Sequence, residues 1–177
     1  MSAPARDALL SLADAALLAQ CQVDKLRGSG PGGQKRNKTE SSVRVRHTAT
    51  GLFALSGESR SQHENKARAL RRLRERIAFD LREPVELEGY AAPPALTALL
   101  EMEPVRKSEN WLRSEVYLRA VGHLVDLYQA VGCSVPDTAQ RLAVPQGRLD
   151  KIVRVDPRLG RKLGELKNAF RGRSPLD

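Results

Sequence analysis

Valine alternates with arginine through Ser42-Val43-Arg44-Val45-Arg46-His47, which predicts a half-buried strand with one basic face. Thr48-Ala49-Thr50-Gly51 then supplies a turn, Leu52-Phe53-Ala54-Leu55-Ser56 the returning strand, and the pair reads as an antiparallel hairpin. Upstream, Cys21-Gln22-Val23-Asp24-Lys25-Leu26 alternates weakly and reads as a strand running into a glycine-rich loop. The Ala- and Leu-rich stretch from Leu9 to Gln20 reads as one short amphipathic helix. Downstream of the hairpin the period lengthens: Ala67, Leu70, Leu73 and Ile77 recur at steps of three and four, while Arg68, Arg71, Arg72, Arg74 and Arg76 take the rest of the surface. Ser61-Gln62-His63-Glu64 has the spacing of a capping box, so the helix is expected to begin there.

From Asp80 to Lys107 the composition changes, with Pro84, Pro93, Pro94 and Pro104 among six acidic residues, and the segment reads as a linker with one short helix near Ala95 to Met102. Beyond it, Ser108 is placed to cap a long helix whose stripe is Tyr117, Val121, Leu124, Tyr128 and Val131, ended by Gly132. Two short helices, Pro136 to Leu142 and Gln146 to Val155, flank a turn at Val144-Pro145, and a last one runs from Pro157 to Phe170. The expected fold is α+β: a helical extension over 1–19, a small domain over 20–79 in which a helix covers an antiparallel sheet, the linker over 80–107, and an all-helical module over 108–177.

Charge changes the picture most. The chain of 177 residues carries a net +9. Residues 27–79 alone hold thirteen basic against four acidic side chains, whereas 80–110 hold three against seven. A polyanion is therefore the first partner to consider for the basic block. Aromatic residues make up 4%, so the core is expected to be aliphatic. The two cysteines, Cys21 and Cys133, give neither a metal-ligand spacing nor a disulfide framework, and a reducing interior is the simplest home. No run of 18 apolar residues exists to span a membrane as a helix. The first twenty residues contain Asp7 and Asp14 and do not read as a transit or signal peptide.

Side-chain chemistry is scarce. No serine sits in a G-x-S-x-G elbow, neither cysteine lies beside a histidine, and His47, His63 and His123 have no H-x-x-x-H spacing, so neither a catalytic triad nor a zinc site is expected. The loop Gly28-Ser29-Gly30-Pro31-Gly32-Gly33-Gln34 lacks the G-K-[ST] ending of a phosphate-binding loop. By itself it is a turn whose glycines let another backbone or a nucleotide approach. Chemistry left to such a loop is that of positioned backbone amides, which can stabilise developing charge by about 3 kcal/mol.

Arg27-Gly28-Ser29-Gly30-Pro31-Gly32-Gly33-Gln34, then Asn37-Lys38-Thr39-Glu40-Ser41-Ser42-Val43-Arg44, Thr50-Gly51 in the hairpin turn, and Arg60-Ser61-Gln62-His63 with Asn65-Lys66 stand in this order and spacing. Together they resemble the catalytic, GGQ-bearing domain of class I peptide chain release factors and their shorter ribosome-rescue relatives, over Gln20 to Ile77. The resemblance implies a cytoplasmic, ribosome-associated peptidyl-tRNA hydrolase without a cofactor or metal, whose partners are the large ribosomal subunit, its rRNA and peptidyl-tRNA. It implies that Gly32 and Gly33 permit the turn and that Gln34, a position methylated in the family, is catalytic through its main-chain amide and side chain. It further implies RNA contacts from Arg27, Lys38, Arg44, Arg46, Arg60 and Lys66, with Asn37, Gln62, His63 and Asn65 fixing loop or RNA, and the charge of Lys35 and Arg36 is expected to add contacts of this chain's own.

Two departures stand out. Lys35-Arg36 replace the small polar or histidine residue and the aliphatic residue usual in the family, adding charge and removing an apolar packing position. About twenty residues precede the resemblance, where full release factors carry a codon-reading domain, so codon-independent release is expected. In the helical module, Thr138 to Val144 followed by Gln146 to Val155 resembles a helix-turn-helix, with Arg148, Lys151 and Arg154 on one side of the second helix as RNA contacts and Leu149, Ile152 and Val153 turned inward. A packing-only tri-helical module that takes a protein partner is the alternative. For the whole chain the alternatives are a non-catalytic ribosome-binding factor and a nucleic-acid-binding regulator led by the helical module.

Overall fold

The computed structural model describes residues 5–26, 41–102 and 109–172. The chain divides into two compact units, Met1–Leu81 and Arg82–Asp177.

The first unit is built on β1 (Cys21–Leu26), β2 (Ser42–His47) and β3 (Phe53–Ser56), an antiparallel sheet in that order, covered by α3 (Gln62–Asp80). The valine-arginine alternation sorts β2 as expected. Val43, Val45 and His47 are buried on the inner face with Ala54 and Ser56 of β3, while Arg46 stays exposed. Ala69, Leu70, Leu73 and Ile77 of α3 are the buried counterpart. The α3 cap is half of a capping box. Ser61 Oγ accepts the Glu64 amide, but the Ser61 amide donates to Ser59 Oγ at 3.1 Å, and Glu64 pairs with Arg68 at 3.6 Å.

The arginines of α3 form a more engaged surface than a solvated cationic face. In the β2–β3 register, residues 53 and 55 lie opposite 46 and 44, and their carbonyls point away from β2 along the free edge. Arg76 donates to Phe53 O at 2.9 Å and Arg72 to Leu55 O at 2.7 Å, so the edge is closed against pairing with another chain. Glu58 and Asp80 neutralise the same pair at 2.7 and 2.9 Å.

The single helix expected from Leu9 to Gln20 is instead two, α1 (Arg6–Leu10) and α2 (Asp14–Ala19). Arg74 explains the break. Its guanidinium takes Leu10 O at 2.8 Å, Leu12 O at 2.5 Å and Asp14 at 2.9 Å, so carbonyls that a continuous helix would satisfy internally are met from α3. Leu9, Leu10 and Leu17 are buried in this unit, each contributing about 2 kcal/mol of apolar burial.

The second unit is helical. Ahead of α4 (Pro94–Glu101), Arg82 pairs with the buried Asp126 at 2.9 Å, and α4 buries Leu96 and Leu99 against α6 (Glu115–Ala130). Within the stretch expected as a linker, Arg82 and the one short helix are thus tied to α6. The expected long helix is shorter: α5 (Glu109–Leu112) precedes it, and Ser114 caps α6 by accepting the Tyr117 amide. Ser108, the expected cap, lies outside the described residues. Along α6, Tyr117, Leu118, Val121, Leu124, Val125, Leu127 and Tyr128 are buried, and the helix ends where Gly132 and Cys133 take positive φ of 73° and 58°.

Around α6 lie α7 (Val135–Arg141), α8 (Gln146–Val155) and α9 (Pro157–Arg171). Asp156 links them. Its carboxylate, 1% exposed in side-chain area, accepts the Tyr117 hydroxyl at 2.8 Å, the Arg158 amide at 2.9 Å and the Arg158 guanidinium at 2.8 Å. Burial pushes its pKa up, but the hydrogen bonds from Arg158 and Tyr117 outweigh burial and hold it below the ordinary aspartate value. Burial and the Asp156 charge push Tyr117 well above an ordinary phenol, so it stays a donor.

Candidate functional site

Gly32, Gly33 and Gln34, with Arg27, Lys35, Arg36, Asn37 and Lys38, lie outside the described residues. What the structure describes is the frame that holds the two ends of this loop. The chain leaves β1 at Leu26 and re-enters β2 at Ser42, and these two residues are register partners across the β1–β2 ladder.

One side chain fixes the re-entry point. Asn65, on the first turn of α3, is fully buried and donates through Nδ2 to Ser41 O and Ser59 O, both at 2.7 Å. Its Oδ1 accepts the Ser59 amide at 3.0 Å and lies 3.3 Å from the Ser56 hydroxyl, whose shorter bond, 2.8 Å, goes to Glu58. Two flanking carbonyls and the Ser59 amide leave one consistent orientation for the Asn65 amide. Asn65 therefore spends its hydrogen-bonding capacity inside the protein, and the expectation of a direct RNA contact gives way to that of a side chain fixing the loop. Gly57 has a related place: a Cβ there would run into the Ser42 hydroxyl.

The other expected contacts divide by environment. Arg46, Arg60, Gln62 and His63 are exposed, and Lys66 is half-buried. Arg44 is held across the strands by Asp24, with both Nε and Nη2 on one carboxylate oxygen at 2.9 and 2.7 Å. That guanidinium lowers the Asp24 pKa, so the pair stays charged at neutral pH. In the second unit Lys151 and Arg154 are exposed on α8, Leu149 and Ile152 are buried, and Val153, expected to turn inward, is half-buried. Arg148 is corrected. Its guanidinium donates to Leu100 O at 2.7 Å and to Met102 O, so it caps the C-terminal end of α4.

The hairpin turn carries a titratable lock that the sequence did not reveal. His47 is fully buried, with Nδ1 at 2.9 Å from Thr50 Oγ1 and accepting the Thr50 amide, and Nε2 at 3.2 Å from Gln20 Oε1. A proton on Nδ1 would displace the Thr50 amide, and burial lowers the His47 pKa. Below the ordinary histidine value of about 6.5 the unfolded chain therefore binds a proton that the folded chain refuses, and stability falls as pH drops from there. Urea denaturation at successive pH values from neutral to about 5.5 should show a falling midpoint, and His47→Gln should flatten the fall.

Glu83, His123 and Asp126 bring their donor atoms within 4.8 Å of one another, although forty residues separate the first two. The histidine spacing gave no hint of this cluster. Asp126 is already met by Arg82 and by the Glu83 amide at 3.3 Å, which makes it an internal tie of the second unit. Among the described residues no helix is long and apolar enough to cross a membrane.

Residues 18–93 match the model of the RF-1 domain. Over 136 residues the chain is 46% identical to a peptide chain release factor 1 of Leptothrix cholodnii, covering 76% of this chain and 34% of that protein. A peptide chain release factor 1 of Erythrobacter litoralis is 35% identical over 133 residues, 69% of this chain and 38% of that protein. Identity to its counterpart in Brachyspira hyodysenteriae is 54% over 56 residues, 32% of this chain and 16% of that one. The matches thus span less than two fifths of these relatives.

Proposed function

Because its RF-1 domain places the chain in the class I peptide chain release factor family, we propose that it hydrolyses the ester of peptidyl-tRNA in the large ribosomal subunit without reading a codon. The observation that carries this reading is the ordered set of motifs, Gly32-Gly33-Gln34 with Asn37-Lys38-Thr39 and Arg60 to Lys66, on a sheet and helix whose Asn65 fixes the end of that loop.

In this mechanism water attacks the ester carbonyl carbon, the bond to the tRNA 3′-oxygen breaks, and free peptide and the tRNA 3′-hydroxyl result. The Gln34 amide donates to the oxyanion or to the departing oxygen, a role worth about 3 kcal/mol where water is excluded. The Gln34 side chain places the attacking water, and Gly32 and Gly33 let the backbone reach the ester. Arg46, Arg60 and Lys66, with the basic residues of the loop, hold rRNA and tRNA phosphates. In the second unit Lys151 and Arg154 contact RNA, or the helices take a protein partner. The protein works in the cytoplasm on ribosomes.

Lys35-Arg36 favour a second reading, a ribosome-binding factor that keeps the fold without the activity. Purified protein added to large subunits carrying peptidyl-tRNA separates the two. Release of free peptide supports the hydrolase; saturable binding with the ester intact supports the second reading.

A further inference from the structure

The outer face of the sheet offers a surface that neither the loop nor the motif residues explain. Large apolar side chains are exposed at only a few of the described positions, and two of them, Phe53 at 45% and Leu55 at 47%, are next-but-one neighbours on β3. Strand geometry puts both on the face opposite α3, and the register sets Arg46 beside Phe53 and Arg44 beside Leu55. Apolar and cationic groups therefore alternate across the two strands. The Arg76 guanidinium lies 5.3 Å from the Phe53 ring centroid and, bonded to Phe53 O, steadies the ring. The one carboxylate in the register on this face, Asp24, is committed to Arg44. Isolated exposed apolar residues need no explanation, but an aromatic ring flanked by guanidinium groups has the chemistry of a nucleobase platform.

We propose that this face binds RNA, with Phe53 stacking an unpaired base, Leu55 packing against its edge and Arg46 meeting the phosphate beside it. The inference rests on the ribosomal reading above and gives it a second contact site. Along β2, Arg46 lies four residues from Ser42, about 13 Å below the base of the GGQ loop. A nucleotide bound there would help to set the angle at which the loop is presented. Charge complementarity favours RNA over protein as the occupant, since the block holding these strands carries the excess of basic side chains.

The test uses the full chain and a labelled oligoriboadenylate of about twelve nucleotides, because stacking is tolerant of sequence. Phe53→Ala should weaken binding roughly tenfold, Phe53→Leu should weaken it while keeping apolar volume, and Phe53→Trp should restore it. Arg46→Gln should weaken binding and reduce the slope of log affinity against log salt by about 0.7. Thermal unfolding of each variant reports its fold, and Phe53→Leu decides the matter if the alanine variant unfolds. Binding within twofold of wild type for folded Phe53→Ala or Phe53→Leu overturns the proposal. So does unchanged RNA affinity with weaker binding to whole large subunits, which would assign the face to a protein. Peptide release is measured in parallel: a chain that binds through Phe53 but releases no peptide sinks the hydrolase reading alone, and one that releases peptide with Phe53 indifferent sinks this one alone.

Discussion

Gln34→Pro should lower peptide release from ribosome-bound peptidyl-tRNA by about two to three decades, because proline removes the main-chain N–H assigned to the developing charge. Gln34→Ala keeps that N–H and loses only the side chain, so it should lower release by a smaller factor while admitting nucleophiles other than water. The order of the two variants is the informative result. A backbone-driven reaction suffers more from proline, whereas a reaction driven by the side-chain amide suffers equally from both. Gly33→Ala completes the series by adding a Cβ where close approach is required. Release rates under single-turnover conditions, with circular dichroism to verify the fold, check all three, and unchanged release for Gln34→Ala and Gln34→Pro would remove the loop from the reaction.

The second large effect belongs to Asn65. Removing its side chain strands Ser41 O, Ser59 O and the Ser59 amide in a largely enclosed place, at a cost of about 3 kcal/mol. The melting temperature should fall by about 10 °C. Asn65→Asp keeps the volume but aims a carboxylate at two carbonyls, so it should be no better tolerated. Because Ser41 is where the loop rejoins the sheet, release per folded molecule should also fall with Gly32, Gly33 and Gln34 intact. Thermal denaturation together with release normalised to the folded fraction separates these effects. A loss of stability with normal release per folded molecule would make Asn65 structural only.

The elements that the sequence revealed are those set by local periodicity. β1, β2 and the hairpin follow from alternation and a glycine turn, and Gly51 takes the positive φ of 71° that such a turn uses. The start of α3 follows from Ser61. What was not legible depends on partners distant in the chain. Arg74 divides the N-terminal helix from sixty residues away. Arg148 looked like one of three cations on a recognition helix, yet its carbonyl partners lie more than forty residues upstream. Asn65 sits in a motif full of RNA-facing residue types, and nothing local distinguishes an amide that pins the backbone from one that meets a base. The same limit holds for Phe53, whose place beside Arg46 exists only once the strands are in register.

Hydrolysis without a codon is tested by peptide release from three preparations, compared side by side with the wild-type protein. These are ribosomes with a stop codon in the A site, ribosomes halted on mRNA that lacks one, and large subunits carrying peptidyl-tRNA alone. Peptide should be released from a preparation that presents no stop codon, at a rate no lower than from the stop-codon complex. Release confined to the stop-codon complex would contradict hydrolysis without a codon.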